Sequence, residues 1–494
     1  MLSTVEAKRL QLSQNTAAEK KSRLGQFLTP QRTAVFMAGL FRDSEGICRL
    51  LDAGAGIGSL SAAFLEKWRA GEFHFQRVEL DAFEIDTALV SDLSQTLAKY
   101  QRGGDFVAHI YQEDFVHVAA ESLSGSMFAK PLAPYTHAIL NPPYKKINSD
   151  SPHRLALRRA GIETVNLYSA FVALATGVAA PGGQIVAIIP RSFCNGPYYR
   201  PFRDFIFERA AIHHIHLFGS RNRAFKDDDV LQENIIIMLE RGGCQGPVTV
   251  STSSDDTFTD LVEHKYPFER IVLSDDQERF IHVPTSPGLN AIELSPGIRY
   301  TLDDLSIKVS TGPVVDFRVK EYLRDMPGPN TVPLLYPGHF SGQSTTWPIQ
   351  GTKKPNAIEY HANTEKWLYP TGFYCVVRRF SSKEEKRRIV ASVIDPHTFG
   401  DAAMLGFENH LNVFHADKHG LPEPLARGLA MFLNTTAVDE HFRRFNGHTQ
   451  VNATDLRLMK YPNRNTLIAL GAWAMQQGTL TQEQIDAKLG ILTS

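Results

Sequence analysis

From Ile47 to about residue 240 the chain alternates short apolar runs with amphipathic stretches, and the two periods are distinct. Ile47–Leu51, Arg77–Ile85, Phe106–Tyr111, Tyr135–Leu140 and Gln184–Pro190 read as strands, the last apolar nearly throughout and therefore central in a sheet. Between them, Ser59–Trp68, Thr87–Tyr100 and Leu167–Ala179 carry apolar residues at helical spacing. Strand alternating with helix predicts an α/β domain on a mostly parallel sheet with helices on both faces. Two further strands, Ile212–Phe218 and Glu233–Leu239, flank a polar segment in which Phe225 stands alone as an aromatic. Upstream, residues 1–24 read as a polar, solvated helix, and Gly25–Pro30 interrupts it. Gln31–Phe41 then resumes as a helix with Val35, Phe36, Met37 and Leu40 inward, Thr29 as its N-cap and Pro30 at its first position.

The rhythm ends near residue 241. Residues 251–289 read as a polar connection, and 290–494 as a mixed α+β region of short strands and turns. Composition adds exclusions. With 43% hydrophobic and 21% charged residues over 494 positions, the chain is neither disordered nor fibrous. No stretch approaches the roughly 18 apolar residues of a membrane span, and four scattered cysteines without a C-x-x-C pair suggest neither a disulfide framework nor a zinc ribbon. A cytoplasmic protein is expected. Lys plus Arg number 52 against 53 acidic residues, so attraction to a polyanion has to come from local clusters. Candidates are Lys145, Lys146, Arg154 and Arg158 in the first region, and Arg378, Arg379, Arg387, Arg388, Arg443 and Arg444 in the second.

The candidate chemistry sits where strands end. After the first strand comes Asp52-Ala53-Gly54-Ala55-Gly56-Ile57-Gly58, whose alternate glycines let the backbone curl and approach a ligand. It lacks both the spacing of a nicotinamide loop and the Gly-Lys-Ser/Thr ending of a P-loop, and fits a nucleoside-bearing cofactor without a pyrophosphate. Glu84 ends the second strand, placed to accept from ribose hydroxyls, with Ile85 on an adenine face. Asp114 and Phe115 follow the third, placed for an adenine amine and its ring. The fourth delivers Asn141-Pro142-Pro143-Tyr144, a turn made rigid by two prolines. There the Asn141 oxygen and the Pro142 carbonyl can each accept one N–H of an exocyclic amine while Tyr144 stacks on the ring.

This ordered set, with Gly25–Pro30 before it, resembles the gamma-class, TaqI-like N6-adenine DNA methyltransferases; the C-terminal part resembles the recognition regions of the BsuBI/PstI group. The resemblance implies a Rossmann-like S-adenosylmethionine-dependent methyltransferase domain at residues 1–250, followed by a target-recognition domain at 290–494. It implies S-adenosyl-L-methionine bound by Gln26, Thr29, Pro30, Asp52, Gly54, Gly56, Glu84, Ile85, Asp114, Phe115 and Asn141. A flipped adenine would lie between Tyr144 and Phe225, with Asn141, Pro142 and Pro143 forming the catalytic turn. Implied partners are double-stranded DNA and a restriction endonuclease; no metal is required, and a monomer is expected. Other readings stay open: an RNA or protein-glutamine methyltransferase using the same turn, or a DNA-binding specificity module without catalysis.

Overall fold

The computed structural model describes residues 2–15, 28–101, 104–125, 131–219, 233–274, 276–284, 288, 291–341, 344–381, 385–445, 450–478 and 480–493. The chain divides into two compact units, Met1–Pro287 and Gly288–Ser494.

In the first unit, β1 (Gly46–Ala53), β2 (Phe75–Phe83), β3 (Phe106–Tyr111), β4 (Tyr135–Leu140) and β5 (Ala179–Pro190) pair in parallel in the order β3-β2-β1-β4-β5. β7 (Asn234–Arg241) then runs antiparallel between β5 and β6 (Ala210–Phe218), and β8 (Val248–Ser253) and β9 (Val262–Tyr266) complete nine strands. Both faces are covered, which explains why the central strands read as continuous apolar runs. In β5, Ile185, Ala187 and Ile189 enter one core while Val186 and Ile188 enter the other. The first core is closed by α5 (Phe115–Leu123), α7 (Leu167–Val178) and α8 (Arg200–Arg209). The second is closed by α2 (Gln31–Gly39), α3 (Ser59–Arg69) and α4 (Thr87–Ala98). This is a Rossmann-like, doubly wound α/β arrangement. Its ligand position is the crevice at the carboxyl ends of the parallel strands, where strand order reverses between β1 and β4.

Several sequence expectations shift. The first helix, α1 (Leu2–Asn15), is not simply solvated: Val5 and Arg9 are buried, Arg9 is paired to Glu6 at 2.8 Å, and Glu6 also accepts the Gln31 backbone N–H. In α2, Met37 is buried and Phe36 and Leu40 pack against the core as expected, with Thr33, Ala34 and Ala38 also buried, while Val35 is exposed. The expected connection at 251–289 contains the end of β8 and all of β9, and its Tyr266, Ile271, Ile281 and Val283 are buried in the first core. Their short, Ser/Thr-rich lettering hid strands whose apolar positions pack inward.

The second unit carries a four-stranded sheet and a five-stranded sheet among its elements. Helices Glu423–Leu433 and Arg464–Met475 cross against one another so closely that a Cβ on Gly428 would lie 1.8 Å from the Leu467 carbonyl oxygen, and one on Gly471 1.8 Å from that of Pro424. Among the described residues no helix is long and apolar enough to cross a membrane.

Candidate active site

The glycine loop folds as its spacing requires. Gly54, Gly56 and Gly58 have φ of +78°, +58° and +83°, conformations that side chains rarely adopt. The Gly54 and Ala55 N–H groups both donate to the Phe83 carbonyl at 2.9 Å, which ties the end of β1 to the end of β2. At Gly56 an added Cβ would meet Leu28 Cδ2 at 2.9 Å, so the loop passes directly under the segment before α2.

Beside the loop lies a cleft enclosing about 880 Å³ of empty space, part of it open to solvent. Gly54, Gly56, Glu84, Ile85, Asp114, Phe115, Asn141 and Pro143 line it, contributed by the ends of β1, β2, β3 and β4. Glu84 is buried, and each of its oxygens accepts one backbone N–H: Oε2 from Gly56 at 2.8 Å and Oε1 from Asp86 at 2.7 Å. These two bonds orient the Glu84 carboxylate at the cleft wall. Ile85 is 52% exposed and lies on the cleft wall.

Asp114 caps α5 through Val116 N–H at 2.9 Å, and its other oxygen lies 2.7 Å from His153 Nε2. Burial pushes its carboxyl up, but the bond and charge of His153, the Val116 N–H and His117 outweigh that and hold it below its usual range.

The turn after β4 is tied into the same place. Asn141 Nδ2 donates to Thr29 Oγ1 at 2.9 Å, while the Tyr144 hydroxyl proton is shared between Asn141 Oδ1 and the Ile188 carbonyl, each at 3.3 Å. Tyr144 packs edge-on to Tyr168, centroids 6.3 Å apart, and burial raises its hydroxyl pKa well out of reach of ionisation. Thr29 therefore does not cap α2: Pro30 occupies the cap position without a side-chain bond, and the Thr29 hydroxyl faces Asn141.

Not every expected residue meets the cleft. Asp52 is fully buried below it, holding Ser61 Oγ at 2.5 Å, and its Oδ1 has no partner. Burial, aided by Glu84, pushes its carboxyl up to about 7 against the Ser61 bonds. Thr29 and Pro30 lie behind Leu28, buried and off the wall. Gln26 and Phe225 lie outside the described residues.

Sequence reasoning did not assign Phe83, Glu113, Lys145, His153 or Phe171 to the wall. Lys145 is legible in the sequence only as one of a cluster of cations. Phe171 sits on a helix whose apolar pattern signals core in general and gives no hint of a cavity.

The basic candidates divide. Arg154 is buried, bonded to the Thr164 carbonyl and Glu163, and Arg388 is fully buried with its guanidinium on Ser381 Oγ and over the Phe442 ring. Neither can reach a phosphate, a correction that local sequence could not supply because burial is a tertiary property. Arg158 pairs with Glu163, Arg378 with Glu385 and Arg443 with Asp439. Arg379 reaches the Asn409 carbonyl and Gln450, Arg387 the Asn434 carbonyl, and Arg444 the Gly288 carbonyl. Lys145, Lys146 and Lys386 are exposed.

Comparison with known proteins adds the lineage. Residues 60–225 match the Eco57I restriction-modification methylase family. The type II methyltransferase M.BsuBI of Bacillus subtilis is 53% identical over 99% of this chain and 97% of its own length. The type II methyltransferase M.PstI of Providencia stuartii is 42% identical over 94% of this chain and 92% of its own. Among solved structures, the type IIL restriction-modification enzyme MmeI in complex with DNA shares the fold, with a TM-score of 0.50 at 11% identity over 99% of this chain and 75% of that one. Identity of this order along nearly the whole length is decisive: the chain belongs to the restriction–modification methyltransferase family that includes M.BsuBI and M.PstI.

Proposed function

We propose that this protein transfers a methyl group from S-adenosyl-L-methionine to the N6 amine of a flipped adenine in duplex DNA, protecting that DNA from a partner restriction endonuclease. The observation that carries the reading is Asn141, which is held by Thr29 and Tyr144 and stands on the same cleft wall as Glu84 and Asp114 at the ends of β2 and β3. Family membership supports the transfer of methyl groups, and the relative MmeI was captured with DNA.

The wall residues fit the cofactor. Glu84 stands on the wall where ribose hydroxyls would lie, Asp114 where the adenine amine would, and Ile85 and Phe115 offer apolar faces to the ring. Gly54 and Gly56 leave room for the methionine part close to backbone. When bound, the cofactor supplies an electrophilic methyl group on a sulfonium centre.

The remaining chemistry is positioning. Asn141 Oδ1 and the Pro142 carbonyl accept the two hydrogens of the target amine and turn its lone pair towards the cleft. The Thr29 and Tyr144 bonds hold the Asn141 amide in place, so little reorganisation is needed at the moment of transfer. Tyr144, kept protonated and anchored, offers its ring to the base. Extrusion of the base costs a few kcal/mol and is offset by these contacts. The nitrogen becomes strongly acidic as it is methylated, and its proton leaves to water.

The test is chemical. Duplex DNA incubated with the enzyme and a methyl-labelled donor, then digested to nucleosides, should yield N6-methyldeoxyadenosine by mass spectrometry. Label in N4-methyldeoxycytidine, in RNA or in a glutamine-bearing protein would overturn the assignment.

A further inference from the structure

Asp114 carries a second constellation that the methyl-transfer reading leaves unused. His153, in the helix Pro152–Arg159 that follows the catalytic turn, lies with Nε2 2.7 Å from Asp114 Oδ2. His117, one turn into α5 from the Asp114 cap, packs its ring 4.9 Å from that of His153. One ligand atom from each of Asp114, His117 and His153 lies within 4.8 Å of the others, and all three side chains are half-buried, so a shared point is accessible from solvent. Among the described residues no other such group occurs.

We propose that Asp114, His117 and His153 form a binding site for a borderline-soft divalent transition metal, with zinc the representative case, and that occupancy of this site excludes the cofactor. Two imidazoles and one carboxylate are a common three-ligand set for zinc with a fourth position left to water. Bonds of about 2.0–2.2 Å in a tetrahedron put ligand atoms a little over 3 Å apart. The Asp114–His153 contact therefore opens slightly and His117 closes by at most about 1.5 Å, within reach of side-chain rotation. Coordination takes place through the lone pair of a neutral imidazole, so His153 gives up the Nε2 proton it now directs at Asp114 and carries one on Nδ1 instead.

The local frame suits this use. Val116 N–H holds Asp114 Oδ1 and leaves Oδ2 for the ion, as an outer-shell bond does in metal sites. His117 is not on the cleft wall, whereas Asp114 and His153 are. Metal binding and nucleoside binding thus compete for Asp114, a competition that rests on the cofactor reading given above, while the metal site itself does not.

Calorimetric titration of the tag-free full-length chain with zinc, without cofactor, tests the site. One equivalent should bind, and His117→Ala should weaken it by at least the roughly 10–100-fold that even an outer-shell loss costs. His153→Ala should do the same, and magnesium, which favours all-oxygen octahedra, should not compete. S-adenosylmethionine affinity should fall about tenfold when zinc is present at ten times its own dissociation constant. In His117→Ala the cofactor affinity without metal should be unchanged, and zinc at that concentration should no longer shift it. Unaltered zinc binding in both variants would overturn the site. Zinc binding that is lost in both variants but never moves the cofactor would uphold the site and overturn the sharing of Asp114, and with it the adenine-end assignment.

Discussion

Asp52 is a residue whose chemistry is set by burial. Its carboxyl titrates near 7 in the folded chain against 3.8 as the ordinary value, because it is fully buried with only Ser61 to stabilise its charge. Between these two values the unfolded chain has released a proton that the folded chain keeps, so stability falls as pH rises from about 4 to 7 and is flat above. Each tenfold in proton affinity is worth about 1.4 kcal/mol. Asp52→Asn should therefore be more stable than wild type at pH 8 and should lose that advantage near pH 4, read from urea midpoints at each pH; its cofactor affinity should not change. Sequence marked Asp52 only as the acid before the glycines, and could not tell a ligand from a buried support.

Thr29 teaches the converse. Its place before Pro30 spelled a helix cap, but its hydroxyl accepts from Asn141 instead. Thr29→Val, nearly isosteric, should leave the Asn141 amide with a buried unmet donor, a loss of about 1–3 kcal/mol. We expect single-turnover methyl transfer to fall while cofactor affinity holds, and Thr29→Ser to restore the rate. Equal loss in the Val and Ser variants would reduce Thr29 to packing.

At the scale of elements, the strand–glycine-loop–helix unit and the four acid- or amide-bearing strand ends were legible because a buried parallel strand must be apolar and must then turn. β8 and β9 were not: Thr249, Ser251 and Ser253 mimic a polar linker, and only pairing with β6 makes Val248 and Val250 core residues. The helix crossing at Gly428 and Gly471 was equally hidden, since neither glycine announces what lies opposite. Because a Cβ there meets backbone, which cannot swing aside, Gly428→Ala should cost at least the about 1–3 kcal/mol of overpacking. Thermal unfolding of that variant should shift down, while Gly478→Ala, with nothing within 4 Å, should match wild type.

At the scale of the whole molecule, the net charge is −1, and among the described residues Arg158, Arg378 and Arg443 of the basic clusters are paired internally. Reading clusters from sequence counted Arg388 and Arg154 as contacts, but packing has spent both. The exposed Lys146 and Lys386 are the better tests: if each neutralises a phosphate, its replacement by Ala should lower the slope of log affinity against log salt by about 0.9. Arg388→Ala should instead destabilise the fold, visible by thermal unfolding in the absence of DNA.

The central claim is that Asn141 holds the target amine beside the cofactor cleft. Asn141→Ala should bind S-adenosylmethionine with an affinity close to wild type, because Glu84 and Asp114 remain, while single-turnover formation of N6-methyldeoxyadenosine in duplex DNA is largely abolished. A variant that binds the cofactor and still methylates adenine at a near-native rate would contradict the account.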